Sequence, residues 1–217
     1  SCRNDMLDIV AFDLDKTLTN RDCLIPFLVY LRKNGQRLNA RAGLRCFRLN
    51  RSALKRSACA LLADLETQVV DTLAGQFVST KGRSWLRPDV VSQLRNHQAS
   101  GAKVVIVSAS LSIYVKFFAE LLGVDYRATT LEVTEGRFTG AIEGTNVRHH
   151  EKVTQLESWL AEMGVVRSDI HLTAYGDSSG DSQMMDWADS AVWVKYQRLR
   201  GWSPSQLGAV GRSHRLD

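Results

Sequence analysis

Residues Leu7 to Thr19 read LDIVAFDLDKTLT, and this stretch decides the fold. Leu7 to Phe12 form a short, mainly apolar run that stops at Asp13. A run this short, with branched side chains at its centre, predicts a strand buried on both faces, as parallel sheets require. Asp13 and Asp15 follow at once, one residue apart. Carboxylates so close repel one another unless a cation lies between them or one holds a proton. A bare acid-x-acid turn is most often just solvated, so its meaning depends on what else the chain carries.

Three further apolar runs resemble the first. Val104 to Val107 (VVIV) ends at Ser108, Ile170 to Tyr175 (IHLTAY) leads into Gly176-Asp177, and Ala191 to Val194 (AVWV) is the last. Helical patterns separate them. Pro88 suits a first helical position, Val91, Leu94 and Gln98 share a face, and Gly101 is a stop. Leu111, Tyr114, Val115, Phe118 and Leu122 repeat at helical spacing before Gly123, as do Val153, Leu156, Leu160 and Met163 before Gly164. Strands alternating with helices predict an α/β protein: a three-layer, Rossmann-like parallel sheet with helices on both faces. Ligands of such sheets bind beyond the carboxyl ends of the strands. Asp13, Asp15, Ser108 and Asp177 all fall at those ends.

Two segments break the alternation. From about Asn20 to Arg83 the pattern is helical throughout, which predicts a helical cap inserted between the first two strands. From Ala128 to Gly144 the alternation of Leu131, Val133, Phe138 and Ile142 around Glu135-Gly136 predicts a β-hairpin. The expected division is a catalytic core of residues 1–19 and 84–200, a cap of 20–83, and a Gly- and Ser-rich tail of 201–217.

Chemistry gathers at the strand ends. The segment VSAS puts Ser108 where a strand gives way to a helix, and a helix N-terminus offers free N–H groups to an anion. Lys152 opens the Val153–Met163 helix and can bring a compact positive charge to a phosphate. The loop GDSSGD adds Asp177 and Asp181. Oxygen donors alone favour magnesium over zinc or copper. His149 and His150 precede Lys152 and read as exposed surface.

FDLDKTLT, VSAS, the lysine of HHEKV and GDSSGD, in that order, resemble the four motifs of haloacid dehalogenase-superfamily phosphatases, with the likeness covering roughly residues 8 to 195. The helical insertion resembles the type 1 cap of the phosphoserine-phosphatase-like branch, subfamily IB. The resemblance implies that Asp13 attacks phosphorus to form an aspartyl phosphate. It implies that Asp15 protonates the leaving oxygen and later deprotonates water. Ser108 and Lys152 would hold the phosphoryl oxygens. Magnesium would be bound by Asp13, the Asp15 carbonyl and Asp177, with Asp181 steadying it from behind. The implied activity is magnesium-dependent hydrolysis of a small anionic phosphate ester. Phosphoserine itself, or phosphoryl transfer to an alcohol instead of water, is the alternative; a non-catalytic polyanion-binding module ranks last, since all the motif residues are present.

Substrate choice should lie in the cap and the segment after Ser108. Phosphoserine members carry a glutamate nine positions after the nucleophile; here that position is Asp22, one methylene shorter. They also favour Gly-Gly after the motif-two serine, where this chain has Ala109-Ser110. Asp22, Ala109 and Ser110 are therefore substrate-binding candidates. The net charge is +5, and between Arg32 and Arg56 stand nine Lys or Arg and no acid. Arg41, Arg45, Arg48 and Lys55 share one helical face. The ordinary reading of such a stripe is a solvated surface; the functional reading is a surface that draws in a multiply charged substrate, with Arg45 as its candidate contact. No nucleic-acid motif accompanies it. No apolar run reaches the ~20 residues of a membrane span. Cys2, Cys23, Cys46 and Cys59 show neither CxxC pairing nor metal-ligand spacing, so reduced thiols and a cytoplasmic protein are expected. Sequence sets no oligomeric state.

Overall fold

The computed structural model describes residues 6–45 and 51–195, the side chains of 43–45 and 51–54 excepted. Its main sheet has five parallel strands in the order β3-β2-β1-β6-β7. These are β1 (Leu7–Phe12), β2 (Lys103–Leu111), β3 (Asp125–Thr129), β6 (Ile170–Gly176) and β7 (Ser190–Trp193). A separate antiparallel hairpin is made by β4 (Leu131–Thr134) and β5 (Arg137–Ile142).

β1 is central because its alternate side chains serve two cores. Val10 and Phe12 join a cluster with Val104, Ile106, Leu94 and Phe118, whereas Ile9 and Ala11 join one with Val105, Val107, Leu156, Trp159 and Leu172. Side chains alternate across a strand, so the unbroken apolar stretch of residues 9–12 needs cover on both faces. The first face is covered by α5 (Pro88–Ala99) and α6 (Ser112–Leu122), the second by α7 (His150–Glu162) and α8 (Ser182–Trp187). This is the expected three-layer α/β fold. Gly123 ends α6 at φ 64°, a left-handed conformation that suits glycine best.

Between β1 and β2 lie α1 (Leu24–Lys33), α2 (Ala40–Arg45), α3 (Arg51–Ala60) and α4 (Thr67–Thr80). The insertion is helical, as its pattern predicted. Phe27 of α1 and Phe77 of α4 pack around Tyr114 of α6, with ring centroids 5.1 and 6.3 Å away. The insertion thus shares an apolar cluster with one face of the sheet.

Three details differ from the sequence reading. β3 is a sheet strand that no apolar run announced: it is an edge strand, DYRAT, needing a partner on one side only and tolerating charge. Ala128 and Thr129 belong to it, so the hairpin begins at Leu131. Its turn is Glu135-Gly136, both with positive φ (50° and 74°), as two-residue hairpin loops prefer. The hairpin hydrogen-bonds to the helical insertion: the Asp64 amide donates to the Phe138 carbonyl at 2.9 Å, and the Phe138 amide to the Leu65 carbonyl at 3.1 Å. Finally, the face of α5 that is fully buried is Val90 and Leu94, with Val91 and Gln98 at its flanks.

No described helix is long and apolar enough to cross a membrane. Cys23 and Cys59 are buried free thiols. Cys2, Cys46, Arg48, the Arg45 side chain and the 201–217 tail lie outside the described residues.

Candidate active site

β1 carries Asp13 to the carboxyl edge of the sheet, where its amide still donates to the Tyr175 carbonyl at 2.9 Å. The chain then coils tightly through Leu14–Leu18. Lys16 takes a left-handed φ of 62°, and the Thr19 amide and hydroxyl close the coil on the Leu14 carbonyl at 2.9 and 3.1 Å. This coil gives the two neighbouring carboxylates different partners. Asp13 turns to α7, Asp15 to Cys23 of the insertion and Ser110 of β2.

Lys152, on the first turn of α7, is 1% exposed and fully engaged. Its ammonium donates to Asp13 Oδ1 at 2.7 Å, to Asp181 Oδ1 at 2.6 Å and to the Val107 carbonyl at 2.7 Å. Three donors meet three acceptors, which satisfies an ammonium completely. Burial disfavours the charge of Lys152, but Asp13 and Asp181 outweigh it and raise its pKa. Burial also pushes Asp13 up to about 7, against the pull of Lys152.

Asp181 is built into the GDSSGD loop from both oxygens. Oδ1 faces Lys152, while Oδ2 accepts from the Asp177 and Ser178 amides, both at 3.1 Å, and from the Ser178 hydroxyl at 3.2 Å. The loop needs glycine at 176, because a Cβ there would lie 2.6 Å from Asp181 Cβ. Asp177 is half-buried, and burial followed by the charge of Asp181 raises it to about 6. Its carboxylate accepts no hydrogen bond from another described residue. Oxygen atoms of Asp13, Asp177 and Asp181 lie within 4.8 Å of one another, a carboxylate triad of the kind that holds a metal ion.

Ser108 is buried, but not at a helix start: β2 continues to Leu111 and α6 begins at Ser112. In place of the expected helix N-terminus β2 shifts register between Ser108 and Leu111, and the Ser110 amide donates to Ser108 Oγ at 3.1 Å. The Ser110 hydroxyl donates to Asp15 Oδ2, and the Cys23 amide donates to Asp15 Oδ1 at 3.0 Å. Burial, then the nearby charge of Asp22, raises Asp15 to about 6, with Ser110 and Cys23 opposing.

These groups line a cavity of about 380 Å³. Asp22 stands exposed on its rim, accepting from the Leu24 amide at 3.0 Å at the start of α1. Ala109 contributes its carbonyl, which accepts from Lys55 and from the Thr129 hydroxyl. By its spacing Lys55 belongs only to a basic stripe, yet it enters the cavity from α3. It also donates to Asn146 Oδ1 and to Thr129 Oγ1, the latter at 3.0 Å. Its acceptors are all neutral, and burial lowers its pKa to about 8. Arg148, Asn146 and Tyr114 line the cavity too and were missed. Helical spacing placed Lys55 on a face but not that face against the cavity, and the others belong to no motif. His149 and His150 are exposed.

The order of these groups along the chain matches a known pattern. The profile of haloacid dehalogenase-like hydrolases matches residues 10–186. The chain belongs to that family. Protein CicA of Caulobacter vibrioides is 37% identical over 192 residues, covering 83% of each chain. A phosphoserine phosphatase of Streptomyces coelicolor is 28% identical over 185 residues, 85% of this chain and 43% of that one. Among solved structures, a protein of unknown function from Bordetella pertussis Tohama I superposes with a TM-score of 0.76 at 25% identity, covering 87% of this chain and 90% of that one. The chain is therefore a phosphatase-like hydrolase of the haloacid dehalogenase family, with a carboxylate triad suited to a metal.

Proposed function

We propose that this chain is a magnesium-dependent phosphomonoester hydrolase that carries its phosphoryl intermediate on Asp13. The observation that supports it most is the buried contact of Lys152 with both Asp13 and Asp181, beside Ser108 and Asp177 at the carboxyl ends of parallel strands. Residues 1–19 and 84–200 are read as the catalytic core and 20–83 as the cap, with the hairpin docked on the cap.

The triad tests the fit of a metal. Its donors are all oxygens, and the Asp177 carboxylate has no hydrogen-bond donor from another described residue to balance it, which suits a hard divalent cation such as magnesium. Asp13, the Asp15 carbonyl and Asp177 would hold it, while Asp181, spent on Lys152 and its own loop, orients the site. Bound there, magnesium supplies positive charge to the phosphoryl oxygens.

The chain's own residues then divide the work. An Asp13 oxygen attacks phosphorus, the new O–P bond forms, and the ester O–P bond breaks. Asp15 gives its proton to the departing oxygen, and a carboxyl raised to about 6 still holds a proton in part of the population near neutrality. The Ser108 hydroxyl holds a phosphoryl oxygen, and Lys152, kept beside Asp13 and Asp181, sets its positive charge against the charge of the phosphoryl group. Water then attacks the aspartyl phosphate, Asp15 takes its proton, and inorganic phosphate leaves. Lys55 and Arg148 make no ion pair among the described residues. They favour a substrate whose leaving group bears a second anionic group, with Asp22 at the rim for a cationic one. Arg45 remains a candidate further contact from the cap.

Phosphate release from a panel of phosphomonoesters, with magnesium and with chelator, tests this reading. Magnesium-dependent release, absent in Asp13→Asn, is expected. No release from any ester, with phosphoryl transfer to an added alcohol or salt-dependent polyanion binding instead, would overturn it.

A further inference from the structure

We infer that Ser110 is a positioning residue for Asp15, and that its hydroxyl counts most for esters whose leaving oxygen needs a proton. The inference rests on the acid–base role proposed for Asp15. Both oxygens of that carboxylate are held, Oδ1 by the Cys23 amide at 3.0 Å and Oδ2 by the Ser110 hydroxyl. Cys23 immediately precedes α1 of the insertion, whereas Ser110 belongs to the end of β2. Asp15 is thereby pinned between two parts of the fold, and a carboxylate bonded at both oxygens has little freedom to rotate.

Ser110 is itself held in place. It is 7% exposed, and its amide donates to Ser108 Oγ at 3.1 Å. The hydroxyl proposed to hold the phosphoryl group and the one that holds Asp15 are thus fixed relative to each other by one hydrogen bond across the irregular end of β2. The carbonyl of Ala109, between them, is tied down by Lys55 and by Thr129 at 2.9 Å. Beside this pair stands Tyr114, fully buried, its hydroxyl facing Ser110 and without a fully formed hydrogen bond among the described residues. A buried phenol left unpaired costs stability. It offers a donor to the lone pairs that Ser110 keeps free while donating to Asp15. A glycine at 110 would have no hydroxyl to make this contact, so it belongs to the Ala109-Ser110 sequence of this chain.

Ser110 gains and loses no proton in the reaction. In the first half, Asp15 transfers its proton to the leaving oxygen as the ester bond breaks, and Ser110 keeps that carboxyl aimed. Misaiming it slows the step only where the departing oxygen is basic. An alkoxide needs the proton; a nitrophenolate leaves without it.

The test compares kcat/KM of wild type and Ser110→Ala, in magnesium, for the best alkyl phosphate of the panel and for p-nitrophenyl phosphate. A loss of about 10- to 100-fold on the alkyl ester, with a loss under about threefold on the nitrophenyl ester, is expected from the usual size of acid–base contributions. A purely structural role would slow both esters equally. Equal losses, or none on either, would overturn the inference while leaving the hydrolase reading intact. If wild type hydrolyses neither ester, the hydrolase reading falls and the inference with it.

Discussion

Replacing Lys152 by methionine should be the most damaging single change to the apo protein, and the damage should depend on pH in a set direction. Methionine keeps most of the volume of a side chain that is 1% exposed but removes the charge shared by Asp13 and Asp181. Breaking a buried ion pair by removing one partner costs about 3–5 kcal/mol. The orphaned Val107 carbonyl adds roughly 1 kcal/mol. Because the two carboxylates share one lysine the pair cost enters once, giving about 4–6 kcal/mol where Asp13 is ionised. The stranded carboxylates can recover by binding protons. Asp13 already sits near 7 with Lys152 present, and its loss moves Asp13 higher. Above pH 7 the folded variant then binds more protons than folded wild type, so its stability falls relative to wild type as pH rises. Each unit contributes up to about 1.4 kcal/mol, so the gap should widen by about 2 kcal/mol between pH 6 and pH 9. Urea unfolding followed by tryptophan fluorescence, with chelator present, measures this. A loss below about 1 kcal/mol at pH 8, or a gap that stays constant or narrows toward pH 9, would refute the reasoning.

Other outcomes follow from the same contacts. Lys55→Met should raise KM by about 10- to 100-fold for esters with a second anionic group, the size of a lost charged hydrogen bond, and leave p-nitrophenyl phosphate nearly unchanged; steady-state kinetics on both esters decides it. Lys55 also titrates near 8 in the fold against 10.5 unfolded, so the unfolded chain binds more protons between those values and stability rises there. Wild type should accordingly gain about 2–3 kcal/mol on Lys55→Met between pH 7 and pH 10.5, measured by urea unfolding; no relative gain contradicts the buried placement. Gly176→Ala should cost about 1–3 kcal/mol, because its Cβ meets Asp181 at 2.6 Å, and a melting temperature within 1–2 °C or so of wild type would show that the loop gives way freely.

Much of this arrangement was legible in one dimension because the strands that matter are buried on both faces. Such strands are apolar where both faces are covered, as at residues 9–12 and 104–107, so β1, β2 and β6 stand out in the sequence and show where Asp13, Ser108 and Asp177 lie. β3 does not, since an edge strand carries Asp125 and Arg127 without penalty. The direction of a helical face was also hidden. Spacing grouped Lys55 with Arg41, but only the packing of α3 against the cavity, with β5 behind it at Gly140 and Ala60, turns Lys55 inward. Asp13 and Asp15 looked like one charge cluster, yet the left-handed turn at Lys16 gives them separate partners. Ser110 read as a departure from a glycine pattern; its hydroxyl bond to Asp15 spans 95 positions, which no local pattern reports.

Every later step proposed for this site depends on the covalent bond formed at Asp13. Protein mixed with a turned-over ester in magnesium, quenched in acid and digested, should yield the Asp13 peptide carrying one phosphoryl group that hydroxylamine removes, and Asp13→Asn should yield none. Turnover with no labelled peptide, or with the phosphoryl group on another residue, would contradict it.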